Sequence, residues 1–467
     1  MNRSATSTRW AGLFCLLFCS GIFVLWGSFL DTGPNGGTLD FKAIYYGARS
    51  VVLQRDPYKP SELQRVYQEE GGVFPSDPAI SQLYKPGLTI CINLPTSLFL
   101  VAPFAMLSWG PAHVLWMALL AGSLTLAAFL MWDLAGSFAP GLSLFLICMV
   151  LVNSEEIFAL GNAAGIVVGL CLVAVWCFLK ERLVPVGILC MAIALALKPH
   201  DAGLVWLYFL LAGGAHRKRA LQTLLVVAVI ALPAALWVSQ VSPHWMQELH
   251  SNLLATSAHG GINDPGPSSV SFYHSDSVID LQSALSILWN DPRFYNLASY
   301  LVCGTLLLVG AVRTVRSRFS QPEAWFALAA IAALSMLPVY HRPHDAKLLM
   351  LTVPACALLW AEGGLVAWLA VVLNTAALIL TGDIPLAILS IFTHDFHGNA
   401  VTAFGRVLTV VVMRPEVPVL LALGIFYLWI FLRRTAPLTR RKHEQVGEFV
   451  MGPSALSPSF PERAGDF

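Results

Sequence analysis

Residues 86–132 read PGLTICINLPTSLFLVAPFAMLSWGPAHVLWMALLAGSLTLAAFLMW and contain no Asp, Glu, Lys or Arg. A membrane-spanning helix needs about 20 predominantly apolar residues, because the hydrocarbon core of a bilayer is roughly 30 Å thick. The stretch is therefore long enough for two spans, joined by a turn near Gly110 and Pro111. This length without charge predicts an integral membrane protein.

The rest of the chain has the same character. Of its 467 residues, 57% are hydrophobic and 12% are charged, whereas an ordinary soluble domain has roughly 25% charged residues. Further apolar runs extend over residues 10–30 and centre near residues 146, 170, 190, 207, 229, 304, 331, 354, 373 and 425, which gives thirteen segments. We therefore expect an all-α polytopic membrane domain over residues 1–442. The Pro- and Ser-containing residues 443–467 predict a disordered cytoplasmic tail.

Charge and cysteine content argue against two kinds of site. The formal net charge is +1 and no basic stripe is present, so we expect no nucleic-acid partner. The nine cysteines lie in or beside apolar runs and form no C-x-x-C pair. They are expected to be small core residues rather than disulfides or zinc ligands.

The distribution of basic residues predicts the topology. Short loops rich in Lys and Arg face the cytoplasm, and here they lie at residues 180–182, 217–219, 313–318 and 433–442. Counting crossings from them leaves one apolar segment that does not cross. We assign this to the short segment Pro140–Val152, as a re-entrant or broken helix on the outer side. About twelve transmembrane helices remain, with both termini cytoplasmic and outer loops at 31–86, 239–295 and 383–414.

The first outer loop contains a candidate catalytic acid. Apolar residues recur at helical spacing from Phe41 to Val52, which predicts an amphipathic helix on the outer interface with Asp40 in its first turn. An acid at this position commonly serves only to complement the helix dipole. Alternatively, the same dipole keeps Asp40 ionised, as a general base must be.

Basic and imidazole side chains collect in two short outer turns. Lys198 lies in Lys198-Pro199-His200-Asp201, and residues 340–347 contain two histidines, two cations and an acid. Lysines at a membrane boundary are often snorkelling anchors, but the positive-inside trend disfavours basic residues in short outer turns. Binding of an anionic lipid phosphate is the alternative. A metal site through His341, His344 and Asp345 lacks an H-x-x-x-H or thiolate pattern, so phosphate or sugar contacts are favoured.

Several motifs in order resemble one known family. They are Leu39-Asp40-Phe41 through Tyr45 to Arg55-Asp56-Pro57-Tyr58, then Tyr84-Lys85-Pro86, Gly161-Asn162-Ala163-Ala164, Ala196-Leu197-Lys198-Pro199-His200, and His344-Asp345 with Leu348-Leu349. Together they resemble polyprenol-phosphate-sugar-dependent glycosyltransferases of the C-type membrane fold, and within these glycosyltransferase family 87, the alpha-mannosyltransferase-like group, over roughly residues 10–380. The Gly161-Asn162 motif departs from the family's Gly-Gln-x-Asn.

The resemblance implies transfer of a hexose, mannose, from a polyprenyl-phosphate donor to an acceptor hydroxyl on the extracytoplasmic face of the plasma membrane. It implies membrane lipids and a lipid or glycan acceptor as partners, with no cofactor and no metal. Asp40 corresponds to the family's base. The other expected site residues are Lys198, Arg342 and Lys85 for the donor phosphate, and His200, His341, His344, Asp345 and Tyr45 for the sugar or acceptor.

Two other functions fit the sequence. A polytopic transporter or flippase would use the charged turns to bind or gate a solute, although its functional charges are expected near the bilayer midplane. A non-catalytic scaffold derived from the transferase fold would explain the altered Gly161-Asn162 motif. The transferase is the interpretation that uses all of the motifs.

Overall fold

A computed structural model describes residues 3–31, 37–73, 88–269, 278–317, 319–393 and 402–434. The predicted all-α class is confirmed, since the regular structure of these residues is helical. The first ten helices are α1 (Arg3–Asp31), α2 (Leu39–Val52), α3 (Pro60–Glu69), α4 (Pro95–Ala105), α5 (Trp109–Ala135), α6 (Pro140–Val152), α7 (Glu155–Leu160), α8 (Ala164–Lys180), α9 (Val184–Leu197) and α10 (Pro199–Leu211). They are followed by α11 (Gly214–Val241), α12 (Trp245–Ser257), α13 (Leu281–Leu288), α14 (Pro292–Arg316), α15 (Gln321–Leu334), a 3-10 helix (Asp345–Leu351), α16 (Thr352–Glu362), α17 (Gly364–Leu380), α18 (Asp383–Thr393), α19 (Ala403–Met413) and α20 (Glu416–Arg434).

Among the described residues, six helical segments are long and apolar enough to cross a membrane. They are Trp10–Asp31, Trp109–Ala135, Pro140–Leu160, Gly214–Val241, Pro292–Arg316 and Glu416–Arg434. A seventh is obtained if Gly364–Leu380 and Asp383–Leu389, which meet at 68°, form one bent span. The chain is thus a multi-pass membrane protein, while about twelve crossings and the C-type architecture stay predictions.

The surface supports a lipid environment. In α11 and α14 only 11% and 17% of the most apolar stretch is buried within the protein. On α11 the side chains of Leu225, Val229 and Leu232 are each about two-thirds exposed. Large exposed apolar surfaces are unusual for monomeric soluble proteins, so these helices are suited to contact with lipid.

Several predicted spans are interrupted. The runs near residues 190 and 207 become α9 and α10, of 14 and 13 residues, because Pro199 cannot continue a helix and instead begins a new one. At about 1.5 Å per residue, each is shorter than the hydrocarbon core. The predicted break after Val152 is also present, at Asn153 and Ser154. However, α6 and α7 together reach 21 residues, long enough for a span.

The first outer loop differs in part from its prediction. Asp40 lies in the first turn of α2 as expected, but nine of the fourteen residues of α2 are buried. The helix is therefore packed into the protein instead of lying on an interface, because its aromatic side chains fit against α5. Phe41 stacks on Trp116 at 4.7 Å between ring centroids, and Tyr45 meets Trp109 edge-on at 5.2 Å.

Helices α8 and α15 lie at the centre of the hydrophobic core. Fourteen of the 17 residues of α8 and ten of the 14 residues of α15 are buried. The 3-10 helix packs against both, which places the turn before it, residues 340–344, beside the start of α8. All nine cysteines are free thiols. Lys85 and the predicted tail, residues 443–467, lie outside the described residues.

Candidate functional site

Two turns distant in sequence meet to form one group of ionisable side chains. The first is the junction of α9 and α10, where Lys198 precedes Pro199. The second follows α15 and leads into the 3-10 helix at Asp345. We call the six side chains that they bring together the ionisable cluster: Lys198, His200, Asp201, His341, His344 and Asp345.

Lys198 lies between two buried carboxylates. Its Nζ donates to Asp345 Oδ1 and lies 3.2 Å from Asp201 Oδ2. The side chains of both acids are 1% exposed, whereas that of Lys198 is 17% exposed. The second carboxylate oxygen of Asp345 accepts from the backbone N–H of Arg342 at 2.9 Å. The lysine side chain as a whole is therefore more exposed than the carboxylates it neutralises.

Three histidines surround these carboxylates. His200 Nε2 and His341 Nε2 lie 3.4 and 3.7 Å from Asp201 Oδ1, and their rings meet edge-on at 5.3 Å. His344 Nε2 lies 3.6 Å from Asp345 Oδ1. His341 and His344 are buried, while the side chain of His200 is 36% exposed. Four members of the cluster offer ligand atoms that lie within 4.8 Å of one another, close enough to hold a metal ion.

Asn162 connects the cluster to Asp40. Its Nδ2 donates to Asp40 Oδ2 at 2.6 Å and lies 3.1 Å from His344 Nε2. Its Oδ1 accepts from the backbone N–H of Ala164 at 2.8 Å, so the orientation of the amide is fixed. The half-buried Asp40 is thereby held one side chain away from the ionisable cluster.

A glycine allows this connection. Gly161 has φ +61°, in the left-handed region, and a Cβ there would lie 2.8 Å from Phe41 Cβ. Its carbonyl accepts from Trp116 Nε1 at 2.8 Å. Because glycine adopts this conformation without steric cost, the loop between α7 and α8 can approach α2 closely. The altered Gly161-Asn162 motif thus still places a side-chain amide against Asp40.

Burial and mutual charge set the protonation of the cluster. Burial lowers the pKa of Lys198, but the carboxylates of Asp201 and Asp345 outweigh this effect and leave that pKa above its ordinary value. Burial raises the pKa of Asp345, but Lys198 and the neighbouring histidines hold it well below its usual range. Burial lowers the pKa of His344 to about 3. His344 is therefore neutral at pH 7, and its Nε2 can accept from the Asn162 amide.

Arg342 lies beside the cluster but its guanidinium already has partners. Its Nε donates to Tyr340 Oη at 2.7 Å, and an Nη donates to Ile262 O at 2.9 Å. The side chain is buried. These bonds hold residues 258–269, a loop organised by Asp264, against the 340–347 turn. Direct contact of Arg342 with a donor phosphate stays a prediction, and it requires that these bonds rearrange.

Two other side chains, one aromatic and one cationic, lie outside the ionisable cluster. The side chain of Tyr45 is fully buried and its hydroxyl donates to Leu107 O at 2.8 Å, so in this conformation it is closed to an acceptor. Lys347 is buried in a separate ion pair, 2.7 Å from Asp383 Oδ1. Lys85, outside the described residues, has no assigned place.

Two residues of the site were not chosen from the sequence. In the sequence, Asn162 stands out only as part of a motif that departs from the family pattern, and Asp201 only as the residue after His200. An acid directly after Lys-Pro-His at the end of an apolar run was the available signal for Asp201. Asn162 offered no comparable signal, because its role depends on the approach of α2.

Comparison with known proteins gives one family match. A family model described as glycosyltransferase family 87 matches residues 92–340, just over half of the 467 residues. The match contains Asn162, Lys198 and Asp201 and ends directly before His341. No curated protein and no solved structure matches the chain. The chain belongs to glycosyltransferase family 87 and is a membrane glycosyltransferase.

Proposed function

We propose that the protein transfers mannose from a polyprenyl-phosphate donor to an acceptor hydroxyl on the extracytoplasmic face of the plasma membrane. The observation that carries the proposal is the Asn162 amide, which joins Asp40 to the ionisable cluster. The proposed transfer needs a carboxylate base close to a cation that stabilises the phosphate as it leaves the sugar. The Asn162 contacts support the proposal, because they join Asp40 to the cluster that contains Lys198.

In the proposed reaction, Asp40 accepts the proton of the acceptor hydroxyl. The hydroxyl oxygen forms a bond to the anomeric carbon as the bond from that carbon to the phosphate oxygen breaks. The electron pair leaves with the polyprenyl phosphate, through a transition state with oxocarbenium character. A positioned base typically contributes about 10²- to 10⁴-fold to such a step.

Asn162 and Lys198 have distinct tasks in this scheme. Asn162 donates to Asp40 Oδ2, and in this scheme the bond orients the carboxylate that accepts the acceptor proton. The Lys198 side chain is the more exposed member of its ion pairs, which supports its assignment to the donor phosphate. A fixed cation stabilises charge that develops on a leaving group without reorganisation cost.

Family membership favours the transferase over the transporter considered from the sequence. A non-catalytic scaffold differs from the transferase in a measurable way. Protein purified in lipid nanodiscs is incubated with radiolabelled polyprenyl-phosphate-mannose and a membrane lipid extract as acceptor source. We expect labelled acceptor to form with wild type, and its absence under all acceptor conditions would support the scaffold.

The same assay tests the sugar and the base. Polyprenyl-phosphate-glucose in place of the mannose donor should give slower transfer, and an equal or faster rate would contradict the mannose assignment. Asp40→Asn should abolish most of the transfer. Asp133→Asn is the matched control, because Asp133 pairs with Lys180 at 3.5 Å and is half-exposed, and this variant should retain wild-type rate.

A further inference from the structure

Four side chains of the ionisable cluster have the composition of a metal site. His200, Asp201, His341 and Asp345 each offer one ligand atom, and these atoms all lie within 4.8 Å of one another. Imidazole nitrogen together with carboxylate oxygen is a donor set suited to Zn²⁺ and similar divalent cations. We propose that these four side chains bind one divalent transition-metal cation of the Zn²⁺ class.

Separation in sequence hides this set. His200 and Asp201 come from the first turn of α10, whereas His341 and Asp345 come from the turn before the 3-10 helix. The ligand pairs are thus contributed by segments about 140 residues apart, which no local spacing rule connects. His344, which the sequence grouped with His341 and Asp345, instead approaches Asn162.

The carboxylate of Asp201 supplies an independent indication. Its side chain is 1% exposed, and Oδ2 lies 3.2 Å from the Lys198 ammonium. Among the described residues Oδ1 has no hydrogen-bond partner. Buried polar atoms are usually paired, because leaving them without a partner is costly. Oδ1 instead faces the Nε2 atoms of His200 and His341. A cation between these three atoms would satisfy the carboxylate and both rings.

The outer contacts orient His341 and Asp345 as ligands. His341 Nδ1 lies 2.9 Å from Val339 O, and since a carbonyl can only accept, Nδ1 carries a proton. In the neutral ring Nε2 then presents its lone pair to Asp201. Asp345 uses Oδ2 to accept from Arg342 N, which leaves Oδ1 directed into the cluster. Such second contacts are typical of metal-binding histidines and carboxylates.

Lys198 competes with a metal at this position. Its ammonium contacts both Asp201 and Asp345, the two carboxylates that the cation requires. The side chain is the more exposed partner and can move outward on its flexible stem. Binding of the metal therefore displaces Lys198 from the carboxylates, and removal of the lysine charge should strengthen binding.

The experiment measures metal binding by the full-length protein in lipid nanodiscs after treatment with a chelator. Zn²⁺ is titrated by calorimetry, and bound metal per chain is determined by elemental analysis. We expect one Zn²⁺ per chain, with affinity lowered about 10- to 100-fold or more in His341→Ala and His200→Gln, as for loss of metal-site contacts. Lys198→Met should bind Zn²⁺ more tightly than wild type.

His259→Gln is the matched control, since His259 Nδ1 also lies near an aspartate, 3.6 Å from Asp264 Oδ2, but its side chain is 76% exposed and is not part of the ionisable cluster. It should leave Zn²⁺ affinity unchanged. Absence of stoichiometric Zn²⁺ from both wild type and Lys198→Met would overturn the proposal, and so would equal binding by folded His341→Ala. Mg²⁺ binding as tight as Zn²⁺ binding would overturn the assigned metal class. Each readout is independent of sugar transfer.

Visible absorption of Co²⁺ gives a second measurement for variants that fold poorly. Co²⁺ added to folded wild-type protein should develop a ligand-dependent spectrum that Zn²⁺ displaces. His200→Gln, in which the partly exposed imidazole is replaced by a side chain of similar size, should alter that spectrum. An unchanged spectrum in folded His200→Gln would remove His200 from the ligand set and contradict the site as proposed.

Discussion

Replacing Asn162 by alanine removes a side chain that contacts both Asp40 and His344. The lost hydrogen bond runs to a carboxylate at 2.6 Å, and bonds to charged groups contribute about 1.5–3 kcal/mol. If the bond serves to orient the base, this free energy appears in the transition state, where roughly 1.4 kcal/mol corresponds to tenfold. We therefore expect Asn162→Ala to reduce single-turnover transfer by about tenfold to a hundredfold.

A double-mutant cycle separates this role from a general loss of structure. Asp40→Asn alone should reduce the rate by about a hundredfold to ten-thousandfold, the range for general base catalysis. Because Asn162 acts through the Asp40 carboxylate, the double variant should be no slower than Asp40→Asn. Asn162→Gln, which restores a longer side-chain amide, should be faster than Asn162→Ala.

The assay is radiolabel transfer under single-turnover conditions, with melting temperature measured on the same preparations. If the rate reductions of the two single variants multiply in the double variant, the proposed link between Asn162 and Asp40 is refuted. A stable Asp40→Asn protein with near wild-type rate would refute the base assignment itself. In that case Asp40 would act only by complementing the dipole of α2, an interaction that contributes about 0.3–1 kcal/mol to stability.

Three further predictions follow from other contacts. Lys198→Ala and Arg342→Ala should each weaken use of the lipid-phosphate donor by about 1.5–3 kcal/mol, measured as kcat/KM. Unchanged kinetics in both variants would remove these residues from the phosphate site. Arg342→Ala should also speed proteolysis within residues 258–269. Val339→Cys, at a position 39% exposed, should react with an impermeant thiol reagent outside intact cells, whereas labelling only after lysis would reverse the topology. Lys347→Met should lower the melting temperature, since breaking a buried ion pair costs about 3–5 kcal/mol, and Lys347→Met with Asp383→Leu should recover part of the loss; a melting temperature unchanged in the single variant would contradict this.

The fold class could be predicted because apolar length is a local property of the sequence. Runs such as residues 109–135 contain enough uncharged residues to form a membrane helix regardless of their neighbours. Helix lengths were harder to predict, since α9 and α10, on either side of the predicted turn at Lys198 and Pro199, have only 14 and 13 residues. Burial of α2 could not be predicted. Apolar residues at helical spacing are expected both for an interfacial helix and for one packed against α5.

The site was predictable to the level of its separate turns. Lys198 and residues 340–347 were identified because charge at the end of an apolar run requires an explanation. That these turns meet could not be predicted, because their contact depends on how α8 and α15 pack around the 3-10 helix. Tyr45 shows the converse. Its position beside Asp40 suggested a binding role, but the periodicity of α2 directs it to the aromatic contacts with α5.

Charge balance connects the proposed reaction to the proposed metal. Lys198 supplies one positive charge to two buried carboxylates, Asp201 and Asp345. Cleavage of the sugar–phosphate bond converts a phosphodiester with one negative charge into a phosphomonoester with about −1.5 to −2 at pH 7. The cluster therefore must offset more negative charge as the reaction proceeds. A divalent cation held by the carboxylates would release the Lys198 ammonium toward the leaving phosphate, so transfer should be faster with Zn²⁺ bound than after chelation.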